Sequence, residues 1–207
     1  MNVEQRPLTG FRHNALWVYS IALLASLGAL FVSFALSVET LELAKHPNQA
    51  LACDVNGVIS CTTVAQSWQS TLLQIAGVGV PNAFIGIAAE SVFVTVAVLG
   101  LTKIRFPRWF SIATWCGSFF AFAGTIWLIS QSMFVINALC PWCLGLFFCT
   151  TLQFFAFSHA TVVIQKIGHT KLLNTIYRFH YDIMLEILWI LLVIACIVIK
   201  YSAVLFS

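Results

Sequence analysis

Between Arg108 and Lys166 the chain runs for 57 residues without a single Asp, Glu, Lys or Arg. A hydrocarbon core about 30 Å thick is crossed by about 20 apolar helical residues. The run is therefore too long for one crossing helix and right for two joined by a tight turn. The punctuation Asn137-Ala-Leu-Cys-Pro141 supplies that turn, since Asn137 can cap and Pro141 suits the first turn of a new helix.

Composition carries the same message along the rest of the chain. The 207 residues are 60% hydrophobic and 8% charged, with mean hydropathy +0.95, where a soluble domain carries about 25% charged residues. A water-soluble globule of this make-up could not cover its surface, and disorder needs the opposite balance. Ten Lys and Arg scattered between apolar runs, for a net charge of +3, make no basic face for nucleic acid. The sequence predicts an all-α integral membrane protein, a single membrane domain over residues 1–207. Its five transmembrane helices are expected at about 14–38, 80–101, 109–133, 139–158 and 183–206, with an outer loop at 39–79. The first apolar run is longer than the 7–15 residues of a signal-peptide core and no small-residue cleavage site closes it cleanly, so it reads as a retained span.

Orientation follows from Lys and Arg in the short loops. Arg6 and Arg12, then Lys103, Arg105 and Arg108, then Lys166, Lys171 and Arg178 fall on one side, against Lys45 and Lys200 on the other. This distribution predicts a cytoplasmic N-terminus and an outer C-terminus. His159, His169 and His180 then belong to a solvated cytoplasmic face. Glu90 is the only charge-capable group deep in an expected span, where it could relay a proton or hydrogen-bond between helices.

Four of the seven cysteines fall on the outer side: Cys53 and Cys61 in the long loop, and Cys140 and Cys143 in Cys-Pro-Trp-Cys. Cys116, Cys149 and Cys196 sit in apolar spans and read as small buried hydrophobes. Outside the cytoplasm, thiols meet an oxidising compartment. A Cys-x-x-Cys that opens a helix gains thiolate stability from unpaired N–H groups and the helix dipole. Redox use, a static disulfide and half of a zinc site are the readings of this motif. Zinc wants four ligands, and the loop offers His46 but no second Cys-x-x-Cys, so no metal is expected. A dithiol in a loop beside a Cys-x-x-Cys at the membrane surface makes a two-step relay, from an external protein to an acceptor in the lipid, for which a quinone is suited. Thr62–Ala76 has helical apolar spacing and is expected as an interfacial half-helix over the acceptor pocket. Trp68, Leu72, Phe84 and Trp142 are available as walls.

The stretch Cys53-Asp54-Val55…Ile59-Ser60-Cys61, with Ser67 six residues on and a Cys-x-x-Cys opening a later span, resembles the vitamin K epoxide reductase (VKOR) family over about Phe31 to Phe157. The fifth span and the Pro of Cys-Pro-Trp-Cys are similar to bacterial members that make disulfides. In the DsbB family the two pairs come in the reverse order. The resemblance implies a four-helix-bundle catalytic core and a quinone-dependent thiol-disulfide oxidoreductase of the bacterial cytoplasmic membrane, with its site on the periplasmic or extracellular side. It implies that Cys53 exchanges with a separate DsbA-like or thioredoxin-like protein, since the chain stops at Ser207 with no fused thioredoxin-like domain. Cys61 then passes electrons to Cys140 through a mixed disulfide, and Cys143 faces a menaquinone or ubiquinone. Ser67 and Asn82 match the family's polar contacts to the ring. Phe147 stands where some animal members have a Tyr, so the site expected around the quinone comprises Ser67, Trp68, Asn82, Phe84 and Phe147. Asp54 matches the family and is suited to holding the loop. A vitamin K epoxide reductase of the endoplasmic reticulum, or a non-enzymatic membrane protein stapled by outer disulfides, are the alternatives.

Overall fold

A computed structural model describes residues 10–47, 50–55, 58–75, 78–167 and 171–205. Arg6, His169 and the end of the fifth expected span at Phe206 lie outside these residues. The elements in order are α1 (Ala15–Lys45), α2 (Cys61–Ala65), β1 (Leu73–Ile75), β2 (Val78–Val80), α3 (Asn82–Leu101), α4 (Arg108–Gln131), α5 (Pro141–His159), α6 (Lys171–Arg178) and α7 (Tyr181–Leu205). A π-helical turn extends α4 through Ser132–Ile136, and another extends α5 through Ala160–Ile164. Five of the helices (α1, α3, α4, α5 and α7) are long and apolar enough to cross a membrane, as the apolar runs require. The protein is an all-α membrane protein.

α1 packs on α3 and on α5, α4 packs on α5, and α7 flanks α5 from outside this group of four. The close approach rests on small side chains. Ala22, Ser26, Ala29, Ser33 and Ser37 recur every three or four residues down one face of α1 and are buried. Their neighbours are small as well: a Cβ placed on Gly86 of α3 would lie 2.6 Å from Ser33 Oγ, and one on Gly100 would lie 2.3 Å from the Tyr19 ring. The opposite face of α1 carries Leu24, Phe31 and Phe34 outward, as a lipid-facing surface would.

Four expectations are corrected. α1 continues past Val38 to Lys45, because Glu39–Lys45 holds no Gly or Pro and the first breaker is Pro47. Those two further turns put Glu39 on a helix rather than in a loop. The expected half-helix over Thr62–Ala76 breaks after Ala65 into a 3₁₀ turn at Trp68–Ser70 and a short hairpin, with Leu73 paired to Val80. β-branched Val78 and Val80 around Gly79 favour extended backbone over helix. His159 is buried rather than solvated. Its Nδ1 lies 3.0 Å from Asp182 Oδ2, its Nε2 lies 3.1 Å from His13 Nδ1, and Arg12 Nη2 donates to the same Asp182 oxygen at 2.9 Å. This cluster ties α7 to α5 and to the start of α1, at the end of the bundle opposite the four loop cysteines. Cys196 also departs from expectation, being exposed on α7.

Glu90 is buried in α3, with Oε2 lacking a hydrogen-bond partner among the described residues.

Candidate redox site

The site is built where the long loop meets the turn between α4 and α5. The left-handed Asn137 ends the π-helical turn, and Pro141 starts α5 behind Cys140 as its N-cap. Leu139, just before, forms a parallel bridge with Ile59. Its N–H donates to Val58 O at 2.7 Å, and its carbonyl accepts from Ser60 N–H at 3.0 Å. The loop and the turn are therefore sewn together by backbone one residue before each reacting cysteine.

Cys61 opens α2, whose N-cap Ser60 accepts from Thr63 N–H at 3.2 Å. Asp54 holds the loop against this helix: its Oδ1 accepts from Thr62 N–H at 3.0 Å and its Oδ2 from Thr62 Oγ1 at 2.6 Å. Burial works to raise the Asp54 carboxyl, but these bonds, with contributions from Ser60 and Cys61, outweigh it and hold the group below the usual carboxylate range.

Cys53 and Cys61 form a disulfide, with Cα atoms 5.8 Å apart. Cys140 and Cys143 are free thiols. Cys61 and Cys140 are both buried, and their sulfurs lie 3.5 Å apart. Cys140 Sγ accepts from Cys143 N–H at 3.3 Å. Hydrogen bonding from the Cys143 side chain lowers the Cys140 thiol from its ordinary value. Burial opposes this, and the backbone N–H groups of Cys143 and Trp142 reinforce it. This is the thiolate stabilisation that a helix start supplies.

A cavity of about 130 Å³ adjoins the sulfurs, lined among others by Cys61, Cys140, Cys143, Ser33, Ser67 and Asn82. An apolar cavity of about 150 Å³ accepts a benzene ring, and this one is of comparable size. Its lining is mostly apolar with a few polar groups, the make-up of a cofactor pocket. Ser33 Oγ has no hydrogen-bond partner among the described residues, which leaves a buried donor for a carbonyl oxygen. Asn82 braces the loop above, donating to Gln69 O at 2.7 Å and accepting from Leu72 N–H at 3.1 Å. Ser67 Oγ donates to Val64 O at 2.6 Å.

The other expected ring contacts stand outside this lining. Trp68 is exposed and meets Trp127 edge-on at 6.1 Å. Phe84 points away because the cavity face of α3 is set by Asn82, Ala83 and Gly86. Phe147 is fully buried a step around α5 from Cys143 and Leu146, against Phe148 and Trp189. Trp142 is turned to Glu39, its Nε1–H donating to Oε1 at 2.9 Å.

Two residues were missed from sequence. Ser33 reads there as one more small residue in a span. Glu39 sits at the expected edge of the loop, yet its Oε1 and Oε2 lie 3.2 and 3.4 Å from Cys53 Sγ. A carboxylate and two sulfurs within 4.8 Å of one another could bind a metal ion, but here the sulfurs are joined to each other and carry no thiolate.

A sequence model of the vitamin K epoxide reductase family matches residues 20–158, more than half of the chain. A search among curated proteins returns no match. The matched region holds all four loop and turn cysteines, the helices that carry them and the cavity.

Proposed function

The chain belongs to the vitamin K epoxide reductase family, a family of membrane redox enzymes that use a cysteine pair, and on that premise we propose that it reoxidises a separate thioredoxin-like, DsbA-like dithiol carrier and delivers the electrons to a membrane quinone. The observation that carries the reading is the 3.5 Å approach of Cys61 Sγ to Cys140 Sγ beside a ring-sized cavity.

The steps are disulfide exchanges. A carrier thiolate attacks Cys53 of the Cys53–Cys61 disulfide, and the second carrier cysteine then closes the carrier's own disulfide. The outer pair is left reduced. Cys61 thiolate attacks Cys140 of an oxidised Cys140–Cys143 pair, with Cys143 leaving, and Cys53 then attacks Cys61 and releases Cys140. The sum is one carrier dithiol oxidised and one Cys140/Cys143 pair reduced. The arrangement in hand, an outer disulfide over two free thiols, corresponds to the product of that transfer. Cys140 is a good leaving group because its thiol is lowered at the head of α5.

A bound quinone supplies the two-electron, two-proton acceptor. Ser33 and the second Nδ2–H of Asn82 are the donors that would hold its ring, joined by Ser67 when its hydroxyl turns from Val64 O, with Cys143 in the cavity wall. Mass balance gives carrier dithiol plus quinone to carrier disulfide plus quinol. The excess of Lys and Arg on the other side of the spans supports an orientation with the cysteines outside the cytoplasm, which in a bacterial cytoplasmic membrane is the periplasmic side.

The test is quinol formation by the purified protein with a reduced DsbA-like carrier and either ubiquinone or menaquinone. Turnover that is lost in Cys143→Ser is the expected result. No turnover with either quinone overturns the reading, and reduction of vitamin K epoxide in place of quinone redirects it to the epoxide activity.

A further inference from the structure

We propose that Glu39 is a catalytic base of the outer cysteine pair, taking the proton of the Cys53 thiol as Cys53 closes on Cys61. The inference rests on the relay above and adds a residue to it.

Cys53 has a problem that Cys140 does not. The thiolate is the nucleophile in exchange, and a free cysteine with a pKa of about 8.5 is mostly protonated at neutral pH. Cys140 heads a helix and is stabilised by its N–H groups. Cys53 lies in a turn outside any helix, and the charged groups nearest to it are carboxylates, which disfavour a thiolate. A base in contact with the sulfur solves this, because proton removal and attack then occur together.

The geometry supplies one such base. Both Glu39 oxygens lie within 3.4 Å of Cys53 Sγ, and a Glu39 oxygen lies within 4.8 Å of Cys61 Sγ as well. With Cys53 oxidised this is a contact without a shared proton, and on reduction the new thiol can donate along it. The Trp142 indole fixes the carboxylate from the other side. The second acid nearby, Asp54, is engaged by both the N–H and the hydroxyl of Thr62. Glu39 also lines an outer groove of about 210 Å³ together with Glu42 and His46, which gives the proton a way to water. The titratable groups around it are Asp54 from the loop, Cys140 and Cys143 from the head of α5, and Glu42 and His46 from its own helix and just beyond.

The step balances from the Cys61–Cys140 mixed disulfide. The Cys53 S–H bond breaks and its proton goes to Glu39. The freed electron pair forms the Cys53–Cys61 bond, and the pair of the Cys61–Cys140 bond leaves on Cys140. Cys53 is oxidised, Cys140 is reduced, and Glu39 then releases its proton through the groove.

The experiment starts from the fully reduced protein, mixed with a soluble short-tailed quinone. Rapid quenching and mass spectrometry follow both the Cys61–Cys140 and the Cys53–Cys61 disulfides between pH 6 and pH 9, in wild type, Glu39→Gln and Glu39→Asp. At pH 6.5 Glu39→Gln is expected to close Cys53–Cys61 at least about tenfold more slowly and to accumulate the mixed disulfide. The deficit shrinks toward pH 9, where hydroxide takes over proton removal, and Glu39→Asp recovers part of the rate. Accumulated Cys61–Cys140 requires a folded site, so misfolding cannot imitate this result. Closure by Glu39→Gln within twofold of wild type at pH 6.5, or a deficit equal at every pH with no mixed disulfide, overturns the role of Glu39. A wild-type protein that forms neither disulfide overturns the relay itself.

Discussion

Cys61 Sγ stands 3.5 Å from Cys140 Sγ although the two residues are 79 positions apart in the chain. A disulfide needs about 2.05 Å, so bonding requires a closure of about 1.5 Å, within reach of side-chain rotation. The backbone bridge between Ile59 and Leu139 fixes the two Cα positions from which these side chains reach. A bond between these two sulfurs therefore needs no travel of the loop.

Asp54 keeps Cys61 at that distance by holding Thr62. Hydrogen bonds to a charged acceptor are worth about 1.5–3 kcal/mol when sheltered, and solvent screening at this partly exposed site reduces the sum to about 1 kcal/mol. Asp54→Ala is expected to slow exchange between the pairs about fivefold and to open the loop to limited proteolysis at neutral pH. The sign of the pH effect follows from a carboxyl lowered in the folded protein. Its contribution is present above the unfolded value of about 3.9 and is lost as pH falls through the lower folded value, so wild type gains the same protease sensitivity only in that acid range.

Gly86 leaves the room that Ser33 occupies beside the cavity. A Cβ there would meet Ser33 Oγ at 2.6 Å and Ser33 Cβ at 3.2 Å, so either Ser33 turns or α3 moves off α1. Overpacking of this kind costs about 1–3 kcal/mol. Gly86→Ala is expected to raise KM for quinone several-fold, with a smaller change in the rate of outer-pair exchange, as measured by steady-state quinol formation. Ser33→Ala in the same background relieves the clash with Oγ and restores part of the stability.

Cys140 is held below the ordinary thiol range, chiefly by the Cys143 side chain and then by the N–H groups at the head of α5, against burial. A lowered thiol stays ionised down to the lower value and is protonated below it. Thiolate absorbance assigned by Cys140→Ser is therefore expected to persist to lower pH than that of an isolated cysteine, whose pKa is about 8.5. Cys143→Ser shifts that titration upward if the neighbouring thiol is the main cause.

The five spans were legible because each is a long apolar run, and the start of α5 behind Cys140 was legible because Pro141 suits the first turn of a helix. What escaped was set by tertiary contact or by helix length. Glu39 looked like the first residue of a loop, and only the continuation of α1 to Lys45 brings its carboxylate to Cys53. His159 looked like a solvated loop residue, but Asp182 and His13 arrive from 23 and 146 positions away to bury it. Bulk alone makes Trp68 and Phe84 candidate walls, whereas the cavity face is set by Ser33, Gly86 and Asn82, whose small size or polarity leaves the space open.

The most direct measurement is mass spectrometry of intact disulfides in Cys53→Ser after reduction and exposure to quinone. Without Cys53 the mixed disulfide has no forward resolving thiol, so a Cys61–Cys140 linkage is predicted to accumulate, and to disappear when Cys143→Ser is added and quinone can no longer oxidise the inner pair. A Cys53→Ser protein that holds only Cys140–Cys143, with Cys61 left as a free thiol, would contradict the relay.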